Sequence, residues 1–123
     1  MAKILVVEDD DQIRTLIKRM LEGENEYDVS EAQNGDEAIK LVRKTEYDLI
    51  ITDIIMPEKE GIETIKEIRQ IYPMIKIIAI SGGGRIGPYD YLDLAKRLGA
   101  KKVFEKPFDL KEMLVAVKEL LNA

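Results

Sequence analysis

The sequence predicts an α/β fold, a doubly wound (βα)5 sandwich around a parallel five-stranded sheet of order 2-1-3-4-5. Short apolar runs alternate with stretches of helical periodicity along the whole chain, the pattern of successive βα units. The runs at residues 4–7, 49–51 and 77–80 are apolar without interruption, as expected of parallel strands covered by helices on both faces. These take the middle of the sheet. The segments at 27–32 and 102–105 are more mixed and suit edge strands that keep some side chains near water. In the first helix Ile13, Leu16, Ile17, Met20 and Leu21 recur on one stripe, and in the last Leu110, Met113, Leu114, Val117 and Leu121 do so. Weaker helices are expected over 36–44, 61–71 and 89–98, the last closed by Gly99. The simplest right-handed connection of these units gives the stated order. It reverses direction between the first and third strands, and open α/β sheets bind ligands in the crevice at such a reversal, beyond the carboxyl ends of the strands.

Composition narrows the chemistry. The 123 residues include no cysteine and no histidine, so thiolate and imidazole chemistry are excluded and carboxylates, hydroxyls, amines and backbone must suffice. A formal net charge of -5 disfavours direct binding of nucleic acid, which is gripped by clustered Lys and Arg. No apolar run approaches the roughly 20 residues of a membrane span. The start of the chain lacks the features of a secretory signal. A cytoplasmic protein with no membrane partner is expected, with residues 1–123 forming one domain and no output domain.

The first strand runs into Glu8 and Asp9, and the third into Asp53. Three carboxylates therefore converge in the crevice, an all-oxygen donor set that favours a hard cation such as Mg²⁺. Asp10 and Asp11 fall where the first helix begins and serve as caps. Asp53 is different, lying between Leu49-Ile50-Ile51-Thr52 and Ile54-Ile55-Met56-Pro57 with no helix starting at once. The fourth strand ends at Ser81, and the fifth runs through Phe104-Glu105 into Lys106-Pro107. A divalent cation, a hydroxyl and an ammonium around one carboxylate match the demands of a phosphoryl group, whose equatorial oxygens need positive charge and hydrogen-bond donors. Asp53 would then be the nucleophile, forming an acyl phosphate.

These residues carry a resemblance over essentially the whole chain. Ile4-Leu5-Val6-Val7-Glu8-Asp9-Asp10, Asp48 to Asp53 with Met56-Pro57 and Gly61, Ile80-Ser81, Gly99-Ala100 and Lys106-Pro107-Phe108 are similar to the motifs of CheY-like receiver domains of two-component signalling, which share the flavodoxin-like fold. The resemblance implies a signalling switch that catalyses only its own phosphorylation and dephosphorylation. Asp53 would accept a phosphoryl group from a sensor histidine kinase or phosphotransfer protein. Asp9 and Asp53 would ligate Mg²⁺ directly, Glu8 through a water and Ile55 through its backbone carbonyl, while Ser81 and Lys106 contact the phosphoryl oxygens. It also implies a cis Lys106-Pro107 bond. Output would pass to a downstream protein through the surface of the fourth helix, fifth strand and fifth helix.

Two features depart from that pattern. Similar receivers carry Tyr or Phe where this chain has Val103, and Phe104, one residue on, must face the other side of an extended strand. The stretch Gly82-Gly83-Gly84-Arg85-Ile86-Gly87-Pro88 is long and rich in glycine; it is either a switch element, with Arg85 and Tyr89 available to a partner, or a tolerated surface insertion. Ile55 and Gly83 occupy positions that tune hydrolysis in similar proteins. A flavin binder of the same strand order fits poorly, because Glu8, Asp9 and Asp10 would repel the flavin phosphate. An unphosphorylated adaptor would not require the full set of acids, hydroxyl and lysine.

Overall fold

The computed structural model describes residues 1–54, 61–82, 85–86 and 89–122. Parallel strands β1 (Ala2–Val7), β2 (Tyr27–Ala32), β3 (Leu49–Asp53), β4 (Lys76–Ser81) and β7 (Lys102–Glu105) form one sheet in the order β2-β1-β3-β4-β7. Counted along that sheet, the order is the expected 2-1-3-4-5. Helices α1 (Asp11–Glu22) and α5 (Leu110–Leu121) contribute to one face, α2 (Gly35–Lys44), α3 (Gly61–Ile71) and α4 (Tyr91–Arg97) to the other.

The period of two along each strand builds both cores. Leu5, Val7, Ile50, Ile77 and Ala79 meet Ala38, Ile39 and Val42 of α2, Ile65 and Ile68 of α3 and Ala95 of α4. The alternate positions Ile4, Val6, Leu49, Ile51, Ile78 and Ile80 meet Ile17 and Leu21 of α1 and Met113, Ala116 and Val117 of α5. All five residues of β3 are buried, whereas β2 and β7 keep exposed positions, as the contrast between unbroken and mixed runs predicts. Fully burying one such aliphatic side chain contributes roughly 1.5–3 kcal/mol, so the sheet ends that carry the polar residues stand on a rigid base.

Local signals set the helix starts. Asp10 Oδ1 accepts from the Gln12 and Ile13 N–H groups, Asn34 from Glu37, and Asp109 from Lys111 and Glu112. Each side chain satisfies amides that have no partner within the helix.

The fourth helix is shorter than its expected span of 89–98. Tyr89–Asp90 forms a strand, β6, that pairs antiparallel with β5 (Arg85–Ile86); tyrosine pairs readily in extended structure, and two residues at a helix start show no period that would exclude it. Part of the glycine-rich stretch is therefore hairpin, while Gly83, Gly84, Gly87 and Pro88 lie outside the described residues. Beyond α4, Gly99 takes a φ of 95°, the left-handed conformation of a helix-ending glycine. Its N–H donates to Lys96 O at 2.9 Å and that of Ala100 to Ala95 O at 3.0 Å. No helix among the described residues is long and apolar enough to cross a membrane.

Candidate phosphoryl and cation site

Register brings the polar residues to one edge. Val7 lies opposite Ala32 and Thr52, Asp53 opposite Ile80, and Ser81 opposite Glu105, so Glu8, Asp53, Ser81 and Lys106 all emerge at the carboxyl ends of β1, β3, β4 and β7. Carboxylate oxygens of Glu8, Asp9 and Asp53 lie within 4.8 Å of one another. Glu8 and Ser81 are fully buried, Asp53 is almost so, and Asp9 is exposed. The Lys106 N–H donates to Ser81 O at 2.7 Å, and the Lys106-Pro107 peptide bond is cis. Ile55, whose carbonyl the resemblance assigns to the cation, lies outside the described residues, as do Met56, Pro57 and Gly83.

Lys106 bridges the two buried acids. Its Nζ lies 2.8 Å from Asp53 Oδ2, to which it donates, and 2.7 Å from Glu8 Oε1. Burial works against the charged ammonium, but the Asp53 and Glu8 carboxylates outweigh it and hold its pKa above the ordinary lysine value. For Glu8 the balance goes the other way. Burial pushes its carboxyl up to about 8, Asp53 and Asp9 reinforce this, and Lys106 and the Asp10 N–H oppose it. Despite its closeness to Lys106, Glu8 Oε1 has no partner in hydrogen-bond geometry among the described residues. One ammonium is too little for this many acidic oxygens, and a hard divalent cation would complete their coordination.

Two residues outside the predicted set shape the turn and the strand end. Arg14, buried in α1, donates from Nη1 to Glu8 O at 2.9 Å and from Nε to Glu31 Oε1 at 2.9 Å; a charged residue on the apolar side of a helix was the available signal. Gly61, present only as part of a motif in the sequence, packs directly on the end of β3. A Cβ there would lie 2.3 Å from Asp53 O and 2.3 Å from Ile54 Cα, and its N–H donates to Ile54 O at 3.1 Å. Side-chain size alone could not reveal that contact.

Val103 and Phe104 divide between the faces as alternation requires. Val103 packs against the core under α2, α3 and α4, and Phe104 against the core under α1 and α5. Phe104 instead meets Phe108 across the cis bond, with ring centroids 6.2 Å apart. The aromatic ring therefore sits on the opposite side of the sheet from Val103.

A groove of about 440 Å³ adjoins the site, lined by Ile13, Leu16 and Ile17 of α1 and by Gly82, Lys106, Pro107, Phe108 and Leu110. Another, about 600 Å³, opens at the opposite end of the sheet beside Met1, Tyr47, Tyr72 and Leu121 and includes none of the residues at the switch point.

Comparison with known proteins agrees with this arrangement. The family model for the response regulator receiver domain matches residues 4–118. Sporulation initiation phosphotransferase F of Bacillus subtilis is 36% identical over 119 residues, covering 97% of this chain and 93% of that protein. Transcriptional regulatory protein ResD of B. subtilis is 38% identical over 98% of this chain, which spans only 48% of ResD and 13% of the sensor kinase CckA of Brucella abortus. Among solved structures, response regulator TrrA of Thermotoga maritima, in complex with Mg(2+)-BeF, is 38% identical with a TM-score of 0.83, covering 98% of this chain and 100% of that one. Chemotaxis protein CheY4 of Vibrio cholerae is 29% identical with a TM-score of 0.85, covering 98% of this chain and 99% of that one. The chain belongs to the response-regulator receiver domains, the phospho-signalling modules of two-component systems.

Proposed function

We propose that residues 1–123 act as one receiver unit in which Asp53 accepts a phosphoryl group in a Mg²⁺-dependent reaction. The observation that carries this reading is the bridge from Lys106 to the buried Asp53 and Glu8, with Asp9 within reach of both acids. An Asp53 carboxylate oxygen forms the new P–O bond as the P–N bond of a donor phosphohistidine breaks, and the departing imidazole keeps the nitrogen electron pair. Lys106 and Ser81 donate to the phosphoryl oxygens, and Lys106 exchanges its carboxylate contact for one with the phosphoryl group. Asp9 and Asp53 would hold the cation directly, Glu8 through water and Ile55 through its carbonyl. When bound, Mg²⁺ would supply the positive charge that a dianionic acyl phosphate beside the remaining carboxylates requires.

The apolar groove between α1 and the cis-proline turn includes Lys106 itself, and Leu16 on its rim is 52% exposed. This supports docking of a sensor histidine kinase or phosphotransfer protein there, with its phosphohistidine beside Asp53. The unit catalyses only its own phosphorylation and dephosphorylation, and it signals to a downstream protein by altered contacts, without direct nucleic-acid or membrane binding, in the cytoplasm. The test is intact mass after incubation with acetyl phosphate, with and without Mg²⁺, on the wild type and Asp53→Asn. A Mg²⁺-dependent gain of one phosphoryl group, absent from the variant, is expected. No gain in any condition would refute the reading and leave an unphosphorylated adaptor.

A further inference from the structure

We propose that Arg14 is a positioning residue for the cation site: its guanidinium, braced by Asp11 and Glu31, fixes the peptide plane that leads from Glu8 into Asp9. The inference rests on the Mg²⁺-binding reading given above. Arg14 is 8% exposed, and each of its three nitrogens serves a different acceptor. Nη1 donates to Glu8 O at 2.9 Å, Nε to Glu31 Oε1 at 2.9 Å and Nη2 to Asp11 Oδ1 at 2.5 Å. Glu31 is itself held by Lys18 at 2.9 Å, so the brace reaches from α1 to β2.

The carbonyl that Arg14 grips belongs to the peptide joining Glu8 to Asp9. Its neighbours in the turn are also held. The Glu8 N–H donates to Ala32 O at 3.1 Å and the Asp10 N–H to Glu8 Oε2 at 3.2 Å, while Asp10 is committed to capping α1. Asp9 is thus the exposed member of a turn whose backbone is tied on both sides, and Arg14 holds the peptide that leads into it. Mg²⁺ demands near-ideal octahedral geometry, so a small rotation of that peptide matters. Residues that orient metal ligands are typically worth about 10- to 100-fold in affinity.

Charge alone predicts the opposite sign. A buried cation behind the acidic turn repels Mg²⁺, so a purely electrostatic Arg14 would weaken binding and its removal would tighten it. Arg14→Lys separates the two roles, because it keeps the charge and loses the planar three-way fork.

The experiment is a Mg²⁺ titration of the full chain, followed by the amide resonances of Asp9 and Asp10, for wild type, Arg14→Lys, Arg14→Ala and Glu31→Gln. Unfolding midpoints without metal serve as the structural reference. Arg14→Lys and Arg14→Ala are expected to bind Mg²⁺ about tenfold more weakly, yet to reach wild-type phosphorylation rates from acetyl phosphate at saturating Mg²⁺. Glu31→Gln, which removes one brace from an exposed position, is expected to shift affinity less in the same direction, and decides the matter if Arg14 variants fail to fold. Wild-type affinity in Arg14→Lys and Glu31→Gln, or tighter binding in Arg14→Ala, would overturn the proposal while leaving the cation site intact. Absence of Mg²⁺ binding in the wild type would overturn the cation reading and this inference together.

Discussion

In Gly61→Ala, a methyl group enters a space already filled by the end of β3. The new Cβ would sit 2.3 Å from Asp53 O and 2.3 Å from Ile54 Cα, and ordinary contact begins at 3.4 Å, so the start of α3 and the end of β3 must separate by about 1 Å. Both partners are backbone, which leaves no flexible side chain to yield. Overpacking of this kind costs about 1–3 kcal/mol. Glycine to alanine in an unobstructed helix would instead gain about 0.5–1 kcal/mol, so the two accounts differ in sign. Urea unfolding reads the difference as a lower midpoint at unchanged slope. Because the displaced carbonyl belongs to Asp53, Mg²⁺ affinity and the rate of phosphorylation from acetyl phosphate are expected to fall as well. A variant as stable as the wild type, with an unmoved Asp53 amide resonance, would refute the steric argument.

Two further perturbations follow from the geometry. The Glu8 carboxyl is held at about 8 against an ordinary 4.5, so the folded, metal-free protein retains a proton that the unfolded chain releases. Its stability should therefore fall as pH rises from 4.5 to about 8, while Mg²⁺, which needs the ionised carboxylate, binds more tightly over the same window; urea unfolding across that range without metal checks the first slope, and Glu8→Gln should flatten it. Gly99→Ala places a side chain at a φ of 95°, 2.9 Å from Arg69 Nη2, where Arg69 donates to Leu98 O and Gly99 O. A loss of roughly 1–2 kcal/mol is expected for the left-handed backbone alone, and thermal unfolding at wild-type stability would contradict it.

The sequence by itself determined the sheet. Unbroken and mixed apolar runs differ in how many faces they bury, so they separated β1, β3 and β4 from the edges, and connection handedness then permitted one simple order. It also brought Glu8, Asp9, Asp53, Ser81 and Lys106 to one edge, because each lies at or just beyond the carboxyl end of a strand. The sidedness of Val103 and Phe104 was legible for the same reason, since strand alternation is a local rule. The hairpin of Arg85–Ile86 with Tyr89–Asp90 was not, because a two-residue strand has no period to read. Only the tertiary structure decided what touches the site from elsewhere in the chain. Gly61 approaches Asp53 across a gap in sequence, and Arg14 reaches both Glu8 O and Glu31 from a different element. The bridge from Lys106 to Glu8 and Asp53 likewise joins three strand ends. Such contacts depend on distances between elements, and a pattern of residue types along one chain carries periods and faces but no distances.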